Sequence, residues 1–184
     1  SGVNARGAAR STHTAAETAT ATPTPVEPLG PSNVTLTAAV QANGDARWSI
    51  LLTLPVRDAN DSAAFADVAQ RFRDGEYDAG LRAFTRVVPR VNQVTTRSMT
   101  VVNINRSTRR TDGSGVLALR FTWTNFARAE GDQLIVEDAF RTPGGTWLRP
   151  LDDRETLVVA PPPDYNIVEA PNVVDRTTRW TGPH

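Results

Sequence analysis

The segment 33–55 alternates apolar and polar side chains so regularly that it restricts the fold more than any other part of the chain. The apolar side chains fall on every second position, at Val34, Leu36, Ala38 and Val40 and again at Trp48, Ile50, Leu52 and Leu54. A period of two is that of a β-strand with one buried face. Asn43 and Gly44, which tolerate positive φ, separate the two runs. The segment therefore predicts a β-hairpin, and Pro55, which has no N–H to donate, favours an edge or an end for the second strand.

After this hairpin the apolar side chains change to the spacing of a helix. Two runs have this spacing, Phe65, Val68, Ala69 and Phe72 in the first and Tyr77, Leu81, Phe84 and Val88 in the second. Asp61 or Ser62 is expected to cap the first helix, because a side-chain oxygen there can accept from a free N–H of the first turn. Pro89 predicts a kink or a fresh helix start. Two or three helical pieces that cover a core are therefore expected.

The rest of the chain returns to segments of strand type, namely MTVVNINRS, VLALRFTW, QLIVEDAF, TLVVA, YNIVEA and RTTRWT. In VLALRFTW one face carries Leu117, Leu119, Phe121 and Trp123, and the other carries Ala118, Arg120 and Thr122. Strands followed by helices and then by more strands are typical of an α+β fold. We therefore predict an α+β domain with a mainly antiparallel β-sheet or sandwich and a helical insertion after the first hairpin.

The first 32 residues differ in composition from everything that follows. Rich in Thr, Ala and Pro, they hold almost no large apolar side chains and cannot offset the entropy cost of ordering the backbone. Residues 1–32 are therefore predicted to be a flexible segment, and residues 33–184 a single α+β domain. The chain begins at Ser1 without an initiator methionine, which favours an extracellular or cell-surface mature chain after signal removal, or a piece cut from a larger protein.

Composition removes several classes of function. The formal net charge is zero, so no global field gathers nucleic acid or anionic lipid. Cysteine is absent, and the two histidines are His13 in the flexible segment and His184 at the last position. Catalytic triads of Ser or Cys with His, and zinc sites, cannot be built without them. We expect no catalytic residue, no metal site and no cofactor.

Carboxylates leave one enzymatic alternative open. Glu137, Asp152 and Asp153 could supply the two acids of a carbohydrate-active enzyme. Adjacent acids on a strand point to opposite faces, however, and acids beside turns usually face water, so a non-enzyme is preferred. The loop 58–62 offers oxygens at the spacing of a calcium loop, but Ala63 and Ala69 stand where such a loop needs Gly and Glu.

Three Asn-X-Ser/Thr acceptors for N-glycans occur, at Asn33, Asn60 and Asn105. Each falls at a predicted strand start, loop or strand end, where a glycan can be exposed. The cluster RSTRR contains Arg106, Arg109 and Arg110, which could bind phosphate or an acidic partner because Arg forms bidentate contacts. The DG turn that follows favours the other interpretation, a solvated hairpin tip.

The stretch FTWTNFARAEGD ends a predicted strand with aromatic residues and an asparagine. Trp123 continues the apolar face of its strand and is predicted to lie in the core. Asn125 comes where the strand ends and is predicted to fix the exit turn through hydrogen bonds with the backbone. A binding role for Asn125 is the alternative.

Three segments, VTLTAAVQANGDARWSILLTLPV, LRFTWTNFARAEGDQLIVEDAF and the closing RWTGPH, resemble the extracytoplasmic domain of a family of uncharacterised haloarchaeal membrane proteins. The resemblance covers residues 33–184. In that family a signal peptide precedes the β-rich domain, and a transmembrane helix follows it, often with a cytoplasmic winged-helix domain. The resemblance implies sensing or surface interaction and supplies no catalytic residue.

We therefore expect a non-enzymatic archaeal cell-surface domain for recognition, sensing or envelope assembly. Its expected partners are proteins of the cell envelope, including further copies of itself, with no contact to nucleic acid and with membrane anchoring only through segments outside this chain. The alternative is a structural subunit of an extracellular filament or pilus, joined by addition of the N-terminal segment as a strand to a neighbour's sheet.

Overall fold

A seven-stranded sheet dominates the computed structural model, which describes residues 29–170, 173–174 and 177–181. The elements follow the chain as β1 (Asn33–Val40), β2 (Ala46–Pro55), α1 (Ala59–Arg73), α2 (Leu81–Asn92), β3 (Val101–Thr111), β4 (Ser114–Trp123), β5 (Arg128–Glu130), β6 (Gln133–Ile135), a 3₁₀ turn (Glu137–Phe140), β7 (Arg141–Thr142), β8 (Gly145–Thr146), β9 (Glu155–Ala160), β10 (Val173–Val174) and β11 (Thr177–Thr181). The predicted α+β class with a mainly antiparallel sheet is confirmed.

The strand order in the large sheet is β10-β11-β9-β1-β2-β4-β3. The predicted hairpin is β1 with β2, in a register that sets Ala38 opposite Trp48. All neighbours run antiparallel except β1 and β9, which are parallel. The sheet is therefore mixed at its centre, because the chain returns from a distant segment to pair with its first strand. Pro55 ends β2, as its missing N–H predicts.

The helix boundaries differ from two expectations. Asp58 caps α1, its Oδ1 accepting from the N–H of Asp61 at 2.9 Å, so the prediction of Asp61 or Ser62 as the cap is wrong. The helix begins earlier because the extended backbone of Asp58 already places its carboxylate over the first turn. No fresh start occurs at Pro89, since α2 continues to Asn92 and the proline ring lies on its exposed side.

Both helices pack on one face of the sheet, and a cluster of aromatic rings fills the space between. The members of this aromatic cluster are Trp48, Phe84, Phe121, Trp123, Phe126, Phe140 and Trp147. Trp123 is fully buried, as predicted, and its Nε1 donates to the sulfur of Met99 at 3.1 Å. The Nε1 of Trp48 is buried too and has no partner in the described part of the chain.

Two predicted strands do not form as expected. QLIVEDAF is a strand only over Gln133–Ile135, after which the 3₁₀ turn carries Phe140 toward the aromatic cluster. YNIVEA has no strand, because no described strand pairs with it, and Val168 in it is 83% exposed. Of the predicted flexible segment, residues 1–28 lie outside the described residues. Residues 29–32 lead into β1, where the N–H of Ser32 donates to the carbonyl of Thr53 at 2.8 Å.

Candidate functional site

No described helix packs on the face of the sheet opposite α1 and α2. Alternation along the strands assigns its side chains, and we call this set the open face. It comprises Asn33, Thr35, Thr37 and Ala39 of β1; Arg47, Ser49, Leu51, Thr53 and Pro55 of β2; Val102, Asn105, Ser107, Arg109 and Thr111 of β3; Ser114, Val116, Ala118, Arg120 and Thr122 of β4; and Thr156, Val158 and Ala160 of β9. Only Ala118 among them is buried.

Among the side chains that the structure describes, the open face carries positive charge and no carboxylate. The three charged side chains described on it are Arg47, Arg109 and Arg120, all exposed. Ser49 lies opposite Arg120, so Arg47 and Arg120 are diagonal neighbours on adjacent strands. Backbone positions in this relation are roughly 7 Å apart. Charge in this net-neutral chain is therefore segregated, and the remaining open-face side chains are mostly hydroxyls and small apolar groups.

Hydrogen bonding holds one of these arginines along the sheet. Arg120 Nη1 donates to Ser107 Oγ on the neighbouring strand at 3.1 Å. The row across the sheet at this level reads Thr37, Ser49, Arg120 and Asn105. A guanidinium that lies in the plane of the sheet keeps most of its donors toward solvent, where they can bind a planar carboxylate in a bidentate contact.

The predicted RSTRR cluster is divided by the strand rather than gathered at a tip. β3 extends to Thr111, so the prediction of a solvated hairpin tip is wrong: the tip is Asp112-Gly113, because the paired strands continue through the cluster. Arg109 lies on the open face, whereas Arg106 and Arg110 point to the helix side. Arg110 Nη2 donates to Ser62 Oγ at 2.7 Å, and the buried Nε of Arg106 has no partner within the described residues.

The three glycosylation acceptors are all exposed. Asn33 and Asn105 lie on the open face, on strands at different sides of β2, and Asn60 lies in the first turn of α1. Asn33 starts its strand and Asn105 lies on the edge strand, so both are at the margin of the surface. A glycan at Asn33 would stand at the start of β1, whereas a glycan at Asn105 would stand beside Arg120, which lies opposite it on β4.

Asn125 is a structural corner, as predicted. Its φ is 54°, its backbone N–H donates to Asp45 Oδ1 at 2.9 Å, and its Nδ2 donates to the carbonyl of Ser98 at 2.7 Å. The β1–β2 turn meets the same corner, since the N–H of Ala127 donates to the carbonyl of Gly44 at 2.7 Å. A side chain at Gly44 would place Cβ 2.9 Å from the Ala127 carbonyl oxygen, so glycine is required there. The backbone N–H and the side-chain amide of Asn125 are thus both used inside the fold.

Arg97 fastens this corner to the 3₁₀ turn. Its Nη1 and Nη2 donate to the two oxygens of Asp138 at 2.7 and 2.9 Å, while Nε and Nη2 donate to the carbonyls of Asn125 and Phe126. Burial raises the pKa of Asp138, but the hydrogen bonds and charge of Arg97, with the charge of Arg128, outweigh burial and hold that pKa below its ordinary value. This pair is structural, because these donors all point at groups of the fold.

The acids proposed for carbohydrate chemistry each lie beside an arginine or a turn. Glu137 pairs with Arg141, and Asp152 lies 3.4 Å from Arg154 Nη2. The backbone N–H of Arg154 is the main reason that the pKa of Asp152 lies below its ordinary value, and a general acid needs the opposite shift. Asp153 is exposed in the same turn. Within the described residues no three groups of the His, Cys, Asp and Glu types gather in an arrangement that could hold a metal ion.

Sequence reasoning identified Arg109, Asn33 and Asn105 but missed Arg47 and Arg120. The sequence alternation already placed Arg120 on the face of its strand opposite the apolar side chains. The sequence did not predict the pairing of β2 with β4, which brings Arg47 and Arg120 together, because two helices separate these strands in the chain. None of the described helices has the length and apolar character to cross a membrane.

Comparison with known proteins gives one match. No curated protein matches the chain, and no solved structure does. One family model covers residues 37–165, which run from the middle of β1 to the loop after β9 and hence include most of the open face and the aromatic cluster. The chain therefore belongs to the family described as a domain of unknown function (DUF7345).

Proposed function

We propose that this domain is a non-enzymatic recognition module of the archaeal cell surface, and that it binds an acidic protein of the envelope through the open face. The observation that carries the proposal is a broad sheet face whose described side chains include three arginines, many hydroxyls and no carboxylate, on a chain of zero net charge. The sensing or envelope role and the location rest on the resemblance to the haloarchaeal membrane proteins.

The shape of the face supports a protein as the partner. Small ligands bind in concave pockets that enclose most of their surface, whereas the side chains of this face are spread over five paired strands. Its apolar side chains Leu51 and Val116 are half-buried and can be covered further by a partner, and the surrounding hydroxyls can exchange water for hydrogen bonds. Arg47 and Arg120 would bind carboxylates of the partner, which gives orientation and a dependence on salt concentration.

A photo-crosslinking residue tests the location. Placed at Ser49 at the centre of the open face, it should capture an envelope protein that the same residue at Ala66, exposed on α1, does not capture. The captured protein is then purified and its affinity for the domain is measured by calorimetry. A crosslink formed equally well from Ala66 would contradict the proposal.

A charge-matched pair of variants tests the mechanism. Arg47→Gln with Arg120→Gln should weaken binding of the captured protein at least tenfold, which is about 1.4 kcal/mol. Arg71→Gln with Arg82→Gln removes the same charge from the helix side, where both arginines are exposed, and should change the affinity less than twofold. Equal losses in the two double variants would mean that only net charge matters and would refute the open face as the site.

One observation favours the filament alternative. β3 is an edge of the large sheet, and no described strand pairs with its outer side. Val102 and Ile104 on it are 36% and 45% exposed, although a bulge between Val102 and Asn105, with Asn103 at φ 56°, interrupts the ladder there. We propose as a second function that a strand from a neighbouring copy adds along Asn105–Thr111. Light scattering over a hundredfold range of concentration should then show growing assemblies that removal of residues 1–28 abolishes, and a monomer throughout would exclude it.

A further inference from the structure

A concave site lies on the other side of the sheet from the open face, between α2 and the β7–β8 hairpin. Its volume is about 380 Å³ and it is open to solvent on one side, so it has room for a small molecule that stays partly in water. Arg86 and Arg90 of α2 form one wall, and Thr142, Gly144 and Trp147 of the hairpin form the other. We call this space the α2 cleft. Because its two walls come from different elements, it exists only in the folded domain.

Uncompensated positive charge is the first property of the α2 cleft. Arg86 and Arg90 are one helical turn apart and exposed, and none of the described carboxylates forms an ion pair with either. No acid lines the cleft. Like charges at this spacing on a helix repel each other. An anion held between the two guanidinium groups would remove that repulsion.

A fixed apolar wall is the second property. The indole Nε1 of Trp147 donates to the carbonyl of Ala139 at 2.7 Å, and its ring stacks on Phe140 with centroids 5.6 Å apart. These contacts fix the ring while Trp147 stays partly exposed toward the cleft. Val87 and Ala83 continue the apolar lining on α2. A rigid aromatic edge offers contact area at little entropy cost to a ligand with a flat or ring-shaped body.

Close approach across the cleft is the third property. A Cβ built on Gly144 would lie 3.5 Å from Nη2 of Arg90, so this guanidinium reaches over to the hairpin backbone at that residue. Thr142 Oγ1 donates to the carbonyl of Gly145 at 2.9 Å, which holds the hairpin closed and leaves the hydroxyl lone pairs as acceptors. The hairpin is therefore held by its own hydrogen bond, and the exposed guanidinium of Arg90 lies against it.

We propose that the α2 cleft binds a small organic anion in which a carboxylate is attached to a ring. Arg86 and Arg90 bind the carboxylate, and Trp147 with Val87 contacts the ring. The volume fits a molecule between benzoate and a sugar acid in size. This site is separate from the open face, because α2 packs on the opposite side of the sheet. The proposal for the cleft and the proposal for the open face can therefore be refuted independently.

Calorimetry on the whole chain with benzoate and with glucuronate tests the proposal. Acetate is the control that has a carboxylate without a ring, and benzyl alcohol and glucose are the controls that have a ring without a carboxylate. At least one ring carboxylate should saturate the domain at one site and bind tenfold or more tighter than both acetate and its neutral counterpart. If neither benzoate nor glucuronate saturates, or if acetate binds equally well, the proposal is wrong.

Variants on one helix face provide the matched control. Arg86→Gln and Arg90→Gln should each weaken binding of the better probe at least fivefold. Arg82→Gln removes the same charge one turn earlier, outside the cleft lining, and should leave the affinity unchanged within twofold. Circular dichroism and the melting temperature verify that each variant is folded. An equal loss in Arg82→Gln would show that the probe only senses the charge of the helix, and would overturn the cleft as the site.

Discussion

Replacing Arg97 with methionine should destabilise the domain strongly, because this arginine is the most heavily bonded charged side chain of the β4 corner. The guanidinium is 15% exposed and joins Asp138 to the carbonyls of Asn125 and Phe126, so it connects the end of β4 to the 3₁₀ turn. Methionine keeps much of the side-chain volume and removes every one of these hydrogen bonds. The free energy of unfolding, measured by urea denaturation at pH 7, reports the loss.

The expected loss is about 3 kcal/mol. Breaking a fully buried pair costs roughly 3–5 kcal/mol, but Asp138 is 28% exposed and keeps Arg128 Nε at 3.7 Å. About 2 kcal/mol is therefore assigned to the lost pair, and about 1 kcal/mol to the carbonyl of the buried Phe126. For a domain of this length the melting temperature should fall by about 10 °C.

The pH dependence gives an independent reading. Because the folded-state pKa of Asp138 lies below the unfolded value of about 3.9, its contribution is present above about pH 4 and is lost as the pH falls through the folded pKa. The wild-type chain should therefore lose stability below about pH 4 more steeply than Arg97→Met, because the variant lacks the arginine that mainly lowers the pKa of Asp138. Parallel curves for the two proteins would contradict the linkage.

Asp138→Asn and Arg128→Met are the controls. The double variant Arg97→Met with Asp138→Asn should cost less than the sum of the single changes, because the first loss already removes the interaction. Arg128→Met should cost less than about 1 kcal/mol, since that side chain is 39% exposed and lies farther from Asp138. A loss below about 0.5 kcal/mol for Arg97→Met, or strict additivity in the double variant, would refute the reasoning.

Three further changes test the packing of α1 and α2. Gly115→Ala should lower the free energy of unfolding by about 1–3 kcal/mol, because its Cβ would overlap the buried ring of Phe65, whereas Gly30→Ala, with nothing within 4 Å, should be neutral in the same urea titration. Asp58→Ala should cost about 1 kcal/mol and lower the melting temperature, since the N–H of Asp61 loses its acceptor. Pro89→Ala should raise the melting temperature, because an exposed proline inside α2 lacks a helical N–H, and a decrease would mean that α2 depends on the proline.

Patterns within a short stretch of sequence correctly predicted the features of the fold that depend on neighbouring residues. The β1–β2 hairpin, the burial of Trp123 and the corner at Asn125 follow from alternation and turn residues within a short stretch. The RSTRR cluster was misplaced because a DG pair marks a turn without saying how far the strand before it runs. YNIVEA shows the converse, since a strand-like composition forms no strand when no neighbouring strand pairs with it in the described part of the chain.

The two candidate sites depend on contacts that no local pattern contains. Arg47 and Arg120 become neighbours only because β2 pairs with β4 across the helical insertion. The α2 cleft needs the β7–β8 hairpin, whose strands are two residues each and too short to show any period. In the sequence Pro143, Gly144 and Gly145 indicate only a turn, and nothing there shows that this turn lies against α2.

The parallel pairing of β1 with β9 sets an order of events during folding. β1 is among the first strands to leave the ribosome, yet its second neighbour is made only when Glu155–Ala160 is synthesised. Until then one side of β1 is an unpaired edge in the middle of the future sheet, and closing so long a loop is slow. Truncated chains that end before Glu155 should therefore aggregate, and the domain should reach its native state only after nearly the whole chain has emerged.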